Sequence, residues 1–165
     1  MSEPASRFPL APMCPLIRWL TVGLLILPLG LVVAALREPV LWTLVVMMAF
    51  LYAAVWLFWR PWGFEVAAAG LGIRFPSWTR VLPRAAIQGA RQMSRQEFRQ
   101  EFGWALRVGV GGLWGGFGWL WTRKRGFVEF YISRLDGLVV VDRPFGKALL
   151  ITPSDPEAFV RAVVA

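Results

Sequence analysis

Histidine is absent from the 165 residues, and cysteine occurs once, at Cys14. Without an imidazole the chain can build neither a Ser-His-Asp nor a Cys-His catalytic arrangement, and no His-ligated metal site. A single thiol excludes an internal disulfide and any multi-cysteine zinc site. Charge is scarce too: 17% of residues are charged, against about 25% in an ordinary soluble domain. Apolar residues make up 57% and the mean hydropathy is +0.54, more than one core absorbs. Part of the chain is therefore expected to lie in lipid. That points away from a cytosolic enzyme and from a disordered tail. Ten Trp and twelve Phe also exclude a low-complexity linker.

Two long apolar runs carry this excess. Residues 19–36 hold no charge and are interrupted by Gly23, Pro28 and Gly30. Residues 40–59 form a second run, polar only at Thr43, Tyr52 and the indoles. A membrane-spanning helix needs about 20 apolar residues, with ~17 as the lower limit, and both runs qualify. Between them stand Arg37, Glu38 and Pro39, enough for a tight turn, and Pro39 cannot continue the first helix. The predicted element is a transmembrane hairpin over 19–59.

Cations set its expected orientation. Arg7 and Arg18 precede the first run, and Arg60, Arg74, Arg80 and Arg84 follow the second. The turn carries one Arg beside Glu38. The positive-inside rule then places both termini, and the N-terminal tail 1–18, in the cytoplasm. Trp19, Trp42, Trp56, Trp59 and Trp62 cluster near the predicted span ends, where indoles favour the headgroup region. A cleaved signal peptide ending at Ala34-Ala35 is the competing reading of the first run, but its apolar core would be long and a second span follows at once. Cys14 precedes the apolar run, unlike a lipoprotein acceptor, and reads as an ordinary apolar residue. The tail 1–15, rich in Pro and apolar residues, is expected to lie along a partner.

Residues 61–165 are enough for one small cytoplasmic domain, and they hold fourteen of the eighteen cations and eight of the ten acids. Strands are predicted over 64–69, 71–75, 78–82, 127–132, 138–141 and 148–151, from β-branched and aromatic runs broken by Gly and Pro. The segment 142–147 reads as a hairpin loop. Near the end, Ser154 and Glu157 have capping-box spacing, with Pro156 in the first turn. Phe159, Val160, Val163 and Val164 then recur at helical spacing. Six or seven strands followed by one amphipathic helix suggest a small barrel or sandwich covered by that helix.

The strand at 127–132, the Val139-Val140-Val141 strand and the Ser154-Asp155-Pro156-Glu157-Ala158-Phe159 helix start resemble the bacterial pleckstrin-homology-like membrane proteins. The resemblance implies a seven-stranded barrel capped by a C-terminal helix, in a bacterial inner membrane, and no particular activity. The long Gly/Trp segment departs from that pattern.

That segment, 109–121, is the most unusual stretch. No Gly-x-Gly-x-x-Gly fits it, because Trp114 and Trp121 stand where the third Gly would fall, and no Lys-Ser/Thr pair follows. It reads either as barrel strands with Gly at bends, or as a surface that docks on a partner or the bilayer through Trp114, Phe117, Trp119 and Trp121. Arg91, Arg95 and Arg99 recur every fourth residue, which would align them on one helix face. With Arg123, Lys124 and Arg125 they are candidates for anionic lipid headgroups, a solvated face being the plainer reading. Neither span carries a charge, no oxygen-rich cation loop surrounds Glu97 or Glu101, and no reader motif for nucleic acid is present. No enzymatic activity, cofactor or nucleic-acid partner is expected. The expected function is a non-catalytic interaction or scaffold subunit among other membrane protein subunits, with a respiratory or photosynthetic complex as one host. The alternative is a free-standing module that binds anionic lipid headgroups through its Arg-rich face.

Overall fold

A computed structural model describes residues 5–144 and 147–165. The two apolar runs form helices. Helix α1 spans Pro15–Ala35, with Pro15 at its first turn, where the missing N–H costs nothing. A 3-10 turn at Pro39–Leu41 leads into α2, Trp42–Ala54, which continues as a π-helical turn over Val55–Trp59. The segments Pro15–Ala35 and Pro39–Trp59 are each long and apolar enough to cross a membrane, and most of their surface is uncovered by protein. Inside α1, Pro28 has no N–H to give to the carbonyl of Leu24, one turn earlier. The Tyr52 hydroxyl on α2 donates to that carbonyl instead, at 2.6 Å.

Ten strands make two sheets, and not the single seven-stranded barrel that the resemblance implies. One sheet is antiparallel with order β1-β2-β3-β4: Ser6–Pro9, Gly63–Ala67, Gly70–Arg74 and Thr79–Pro83. The other has order β5-β9-β10-β8-β7-β6: Gly89–Met93, Leu138–Asp142, Leu149–Ile151, Gly126–Ile132, Gly116–Thr122 and Ala105–Gly111. Its pairs are antiparallel except β8 with β10. The tail does not wait for a partner. Its residues 6–9 pair with β2, from Ser6↔Val66 to Pro9↔Gly63, so the chain itself supplies the neighbour. Of the predicted loop at 142–147, Phe145 and Gly146 lie outside the described residues.

The larger sheet has two covered faces. One packs on the smaller sheet and on α4, Pro156–Val164, through Phe64, Leu71, Ile73, Phe117, Val139, Val141, Leu149, Ile151 and Phe159. The other packs under α3, Arg95–Phe102, through Phe102, Val128, Phe130, Val140 and Leu150. Burial on both faces explains why β8 to β10 read as nearly continuous apolar runs.

Two helix starts differ from the expected pattern. At α4 the cap is Asp155, whose carboxylate accepts from the Ala158 N–H at 2.9 Å. Ser154 is used otherwise: its N–H donates to the Pro9 carbonyl and ties the helix start to β1. The reciprocal capping box occurs instead at Ser94 and Glu97, which open α3. Arg91 therefore precedes the helix and lies on β5, so Arg91, Arg95 and Arg99 do not share one helix face.

Candidate functional site

The Gly/Trp segment is a long β-hairpin, β6 and β7, with Gly109 directly opposite Gly118. Both have positive φ, and a Cβ on Gly118 would stand 2.7 Å from the Val108 carbonyl, so the two backbones approach where side chains could not fit. From Val108 to Thr122 no residue is charged, and the tip of this uncharged hairpin rests on the two apolar helices. A Cβ on Gly112 would touch Leu20 and Leu24, and Leu113 is buried. Trp114 packs edge-on against Trp56 at 4.8 Å and Tyr52 at 6.1 Å. Thr21, buried on α1, holds the tip. Its hydroxyl accepts from the Trp114 N–H at 2.9 Å and lies 2.7 Å from the Gly112 carbonyl and 2.8 Å from the Ile17 carbonyl.

The four aromatic candidates therefore separate. Trp114 is committed to the helices. Phe117 is fully buried between the sheets and cannot present itself to a partner. Trp119 and Trp121, on the same face farther from the tip, are 42% and 40% exposed because the smaller sheet does not extend over them. Around them the register sets Val108 opposite Trp119, and both Leu106 and Phe127 opposite Trp121. Trp104 meets Trp121 edge-on at 6.5 Å. The Lys147 ammonium lies over Trp119 at 3.7 Å and over Phe127 at 4.9 Å. The result is one exposed aromatic and aliphatic face with a cation at its edge.

The cationic candidates separate as well. Arg91 makes two short bonds to Glu101, at 2.6 and 2.8 Å, and a third to Asp142 at 3.1 Å. Arg125 lies 2.7 Å from Glu101 and 3.7 Å from Asp142. These contacts hold the Glu101 carboxyl below its usual range, chiefly through the Arg91 hydrogen bond, and push Arg91 up. Lys124 donates to the Gln100 carbonyl at 2.6 Å, at the C-terminal end of α3, where a cation is favourable. Arg123 is exposed, and Arg95 and Arg99 stand exposed on α3. Arg91 and Arg125 are thus spent inside the domain, while Arg95, Arg99 and Arg123 keep accessible charge.

A charge cluster that the sequence did not advertise sits on the inner stretch of β8. Glu129, with 6% of its side chain exposed, meets Arg80, Arg143 at 3.0 Å and the Tyr131 hydroxyl at 2.8 Å. Burial, then the Glu129 charge, pushes Tyr131 up, so the phenol stays protonated and donates. Two cations and one phenol around one buried acid form a closed structural network. Among the described residues no group of three acids or cysteines could hold a metal ion.

Two strand layers with a C-terminal helix packed into their core through Phe159 and Val163 define a pleckstrin-homology-like domain. The family model described as bacterial PH domain matches residues 63–165. The chain belongs to that family. No curated protein and no solved structure matches it.

Proposed function

We propose that this chain is a bacterial inner-membrane protein with both termini in the cytoplasm, and a non-catalytic interaction subunit of a larger membrane assembly. The exposed face formed by Trp104, Leu106, Val108, Trp119, Trp121 and Phe127 carries the reading. Large aromatic side chains at this density are what interface centres use, because each removes much apolar area from water at little rotamer cost. The hairpin that presents this face also rests on α1 and α2 at its tip. A partner that packs beside the two helices would meet the aromatic face without leaving the membrane surface. A respiratory or photosynthetic complex is one such host. Lacking His, the chain would serve there by packing and not by ligating a haem or chlorophyll.

Fourteen of eighteen cations lie in 61–165, which supports a cytoplasmic domain. Two measurements test the proposal. In mild detergent the chain is expected to migrate with a larger assembly, and migration as a lone 18.6 kDa chain plus micelle overturns the subunit reading. With Cys14 replaced, a cysteine placed at Arg37 should be labelled from outside intact cells, and one at Gln100 only after lysis; the reverse pattern overturns the orientation.

A further inference from the structure

A cavity of about 720 Å³ lies between α3, β6 and the outer face of the larger sheet. Its floor is apolar: Phe98, Leu120, Ile132, Leu135, Leu138 and Leu150. Arg95, Arg99 and Arg107 stand around it, and no acid lines it. The volume is that of a small-molecule site and far exceeds what one anion needs. A soluble anion would use the arginines and leave the floor wet. An amphiphile uses both.

The position of the cavity identifies where such a molecule would come from. Ile132 is followed by Ser133, whose carbonyl accepts the Cys14 N–H at 3.1 Å, directly before α1 begins. Ile132 also pairs with Gly116, at the base of the tip that rests on Leu20 and Leu24. The Arg107 guanidinium folds along its strand to lie against Gly111, at the same end. Among the described residues Arg95, Arg99 and Arg107 meet no carboxylate, in contrast to Arg91 and Arg125 with Glu101 and Asp142. The cavity thus joins the cytoplasmic end of the first helix, and its charge is uncompensated.

We propose that it binds one anionic phospholipid of the cytoplasmic leaflet, with an acyl chain on the apolar floor and the phosphate held by Arg95, Arg99 and Arg107. Guanidinium groups suit a phosphate because they can donate two parallel hydrogen bonds. This inference rests on the membrane anchoring proposed above and is independent of any protein partner.

The test uses the full chain in nanodiscs that contain phosphatidylglycerol or phosphatidylcholine with a photoreactive group in the acyl chain, and maps adducts by mass spectrometry. Phosphatidylglycerol is expected to label Phe98 and Leu135–138 at least about tenfold more than phosphatidylcholine, three cations each adding attraction for the anionic headgroup. The triple variant R95Q/R99Q/R107Q should lose that excess while α1 and α2 remain labelled. Leu135→Trp, which narrows the cavity and removes no charge, should lower cavity labelling as well. Equal labelling by the two lipids, unchanged labelling in the triple variant, or labelled helices with an unlabelled cavity would each overturn the proposal. So would displacement by excess inorganic phosphate but not by chloride of equal ionic strength, which would mark a site for the free anion. Helices that also escape labelling would instead break the anchoring on which it rests.

Discussion

The Tyr52 hydroxyl bonds the Leu24 carbonyl that Pro28 leaves without its amide partner. A helix break in one apolar helix is thereby repaired from the other. The pair should behave as a coupled unit. Tyr52→Phe is expected to cost about 0.6–1.7 kcal/mol, the range of interhelical hydrogen bonds in membranes. In a Pro28→Ala background, where the helix supplies its own N–H, the same change should cost much less. Denaturation of the four proteins in detergent gives the cycle, and strict additivity would refute the repair.

The aromatic face separates stability from association. Phe117→Ala should destabilise the protein by about 3–5 kcal/mol, because it opens a cavity between the sheets. Trp119→Ala and Trp121→Ala lie on the same strand face yet are half exposed, so each should change stability by no more than about 0.5 kcal/mol. Both should weaken assembly in mild detergent. Thermal melts compared with size analysis decide it, and unfolding by the Trp changes would make the face a part of the core.

At the start of α4, Asp155→Ala should cost about 0.5–2 kcal/mol through loss of the bond from the Ala158 N–H. Ser154→Ala should be close to neutral, since Ser154 contributes its backbone N–H to Pro9, which alanine keeps. Equal losses in chemical denaturation would return the cap to Ser154.

Glu101 gives the fold a pH dependence of known sign. Its carboxyl is held low in the folded state by the Arg91 hydrogen bond, with the Arg91 and Arg125 charges adding to it. The stabilisation is complete above the unfolded value of about 4.3 and fades as pH falls through the lower folded value. Glu101→Gln should therefore be less stable at neutral pH, by about 0.2–1 kcal/mol for a partly exposed pair. The difference should close on acidification below about pH 4. A gap in melting temperature that persists to pH 3 would contradict it.

The parts legible in the sequence were those whose pattern is set locally. The two apolar helices, the strands around 127–132 and 138–141, and the amphipathic C-terminal helix all announce themselves by run length or period. Strand β1 does not. Ser-Arg-Phe-Pro has no alternation of its own and becomes a strand only because β2 lies beside it. Strand β5 was hidden by its arginines: Arg91 fits the spacing of Arg95 and Arg99, but pairing with β9 outweighs the local period. Phe117 and Trp119 show a further limit. Period two puts them on one face, and nothing local shows where the covering sheet ends. Ser94-x-x-Glu97 was the missed signal, since that capping box marks α3 and so leaves Arg91 outside it.

The pairing of β1 with β2 makes the helical hairpin an excursion within a β-ladder. The strand before α1 and the strand after α2 meet again at Pro9↔Gly63. The smaller sheet can therefore close only after both helices have been made and have come back together, which links completion of the domain to formation of the hairpin during synthesis. A soluble fragment begun after the helices would bare the N–H and C=O groups of β2 that β1 covers. Such an open edge is a template for pairing with other chains. The helices are then more than an anchor for the domain, because cutting them away removes the strand that keeps its sheet from growing.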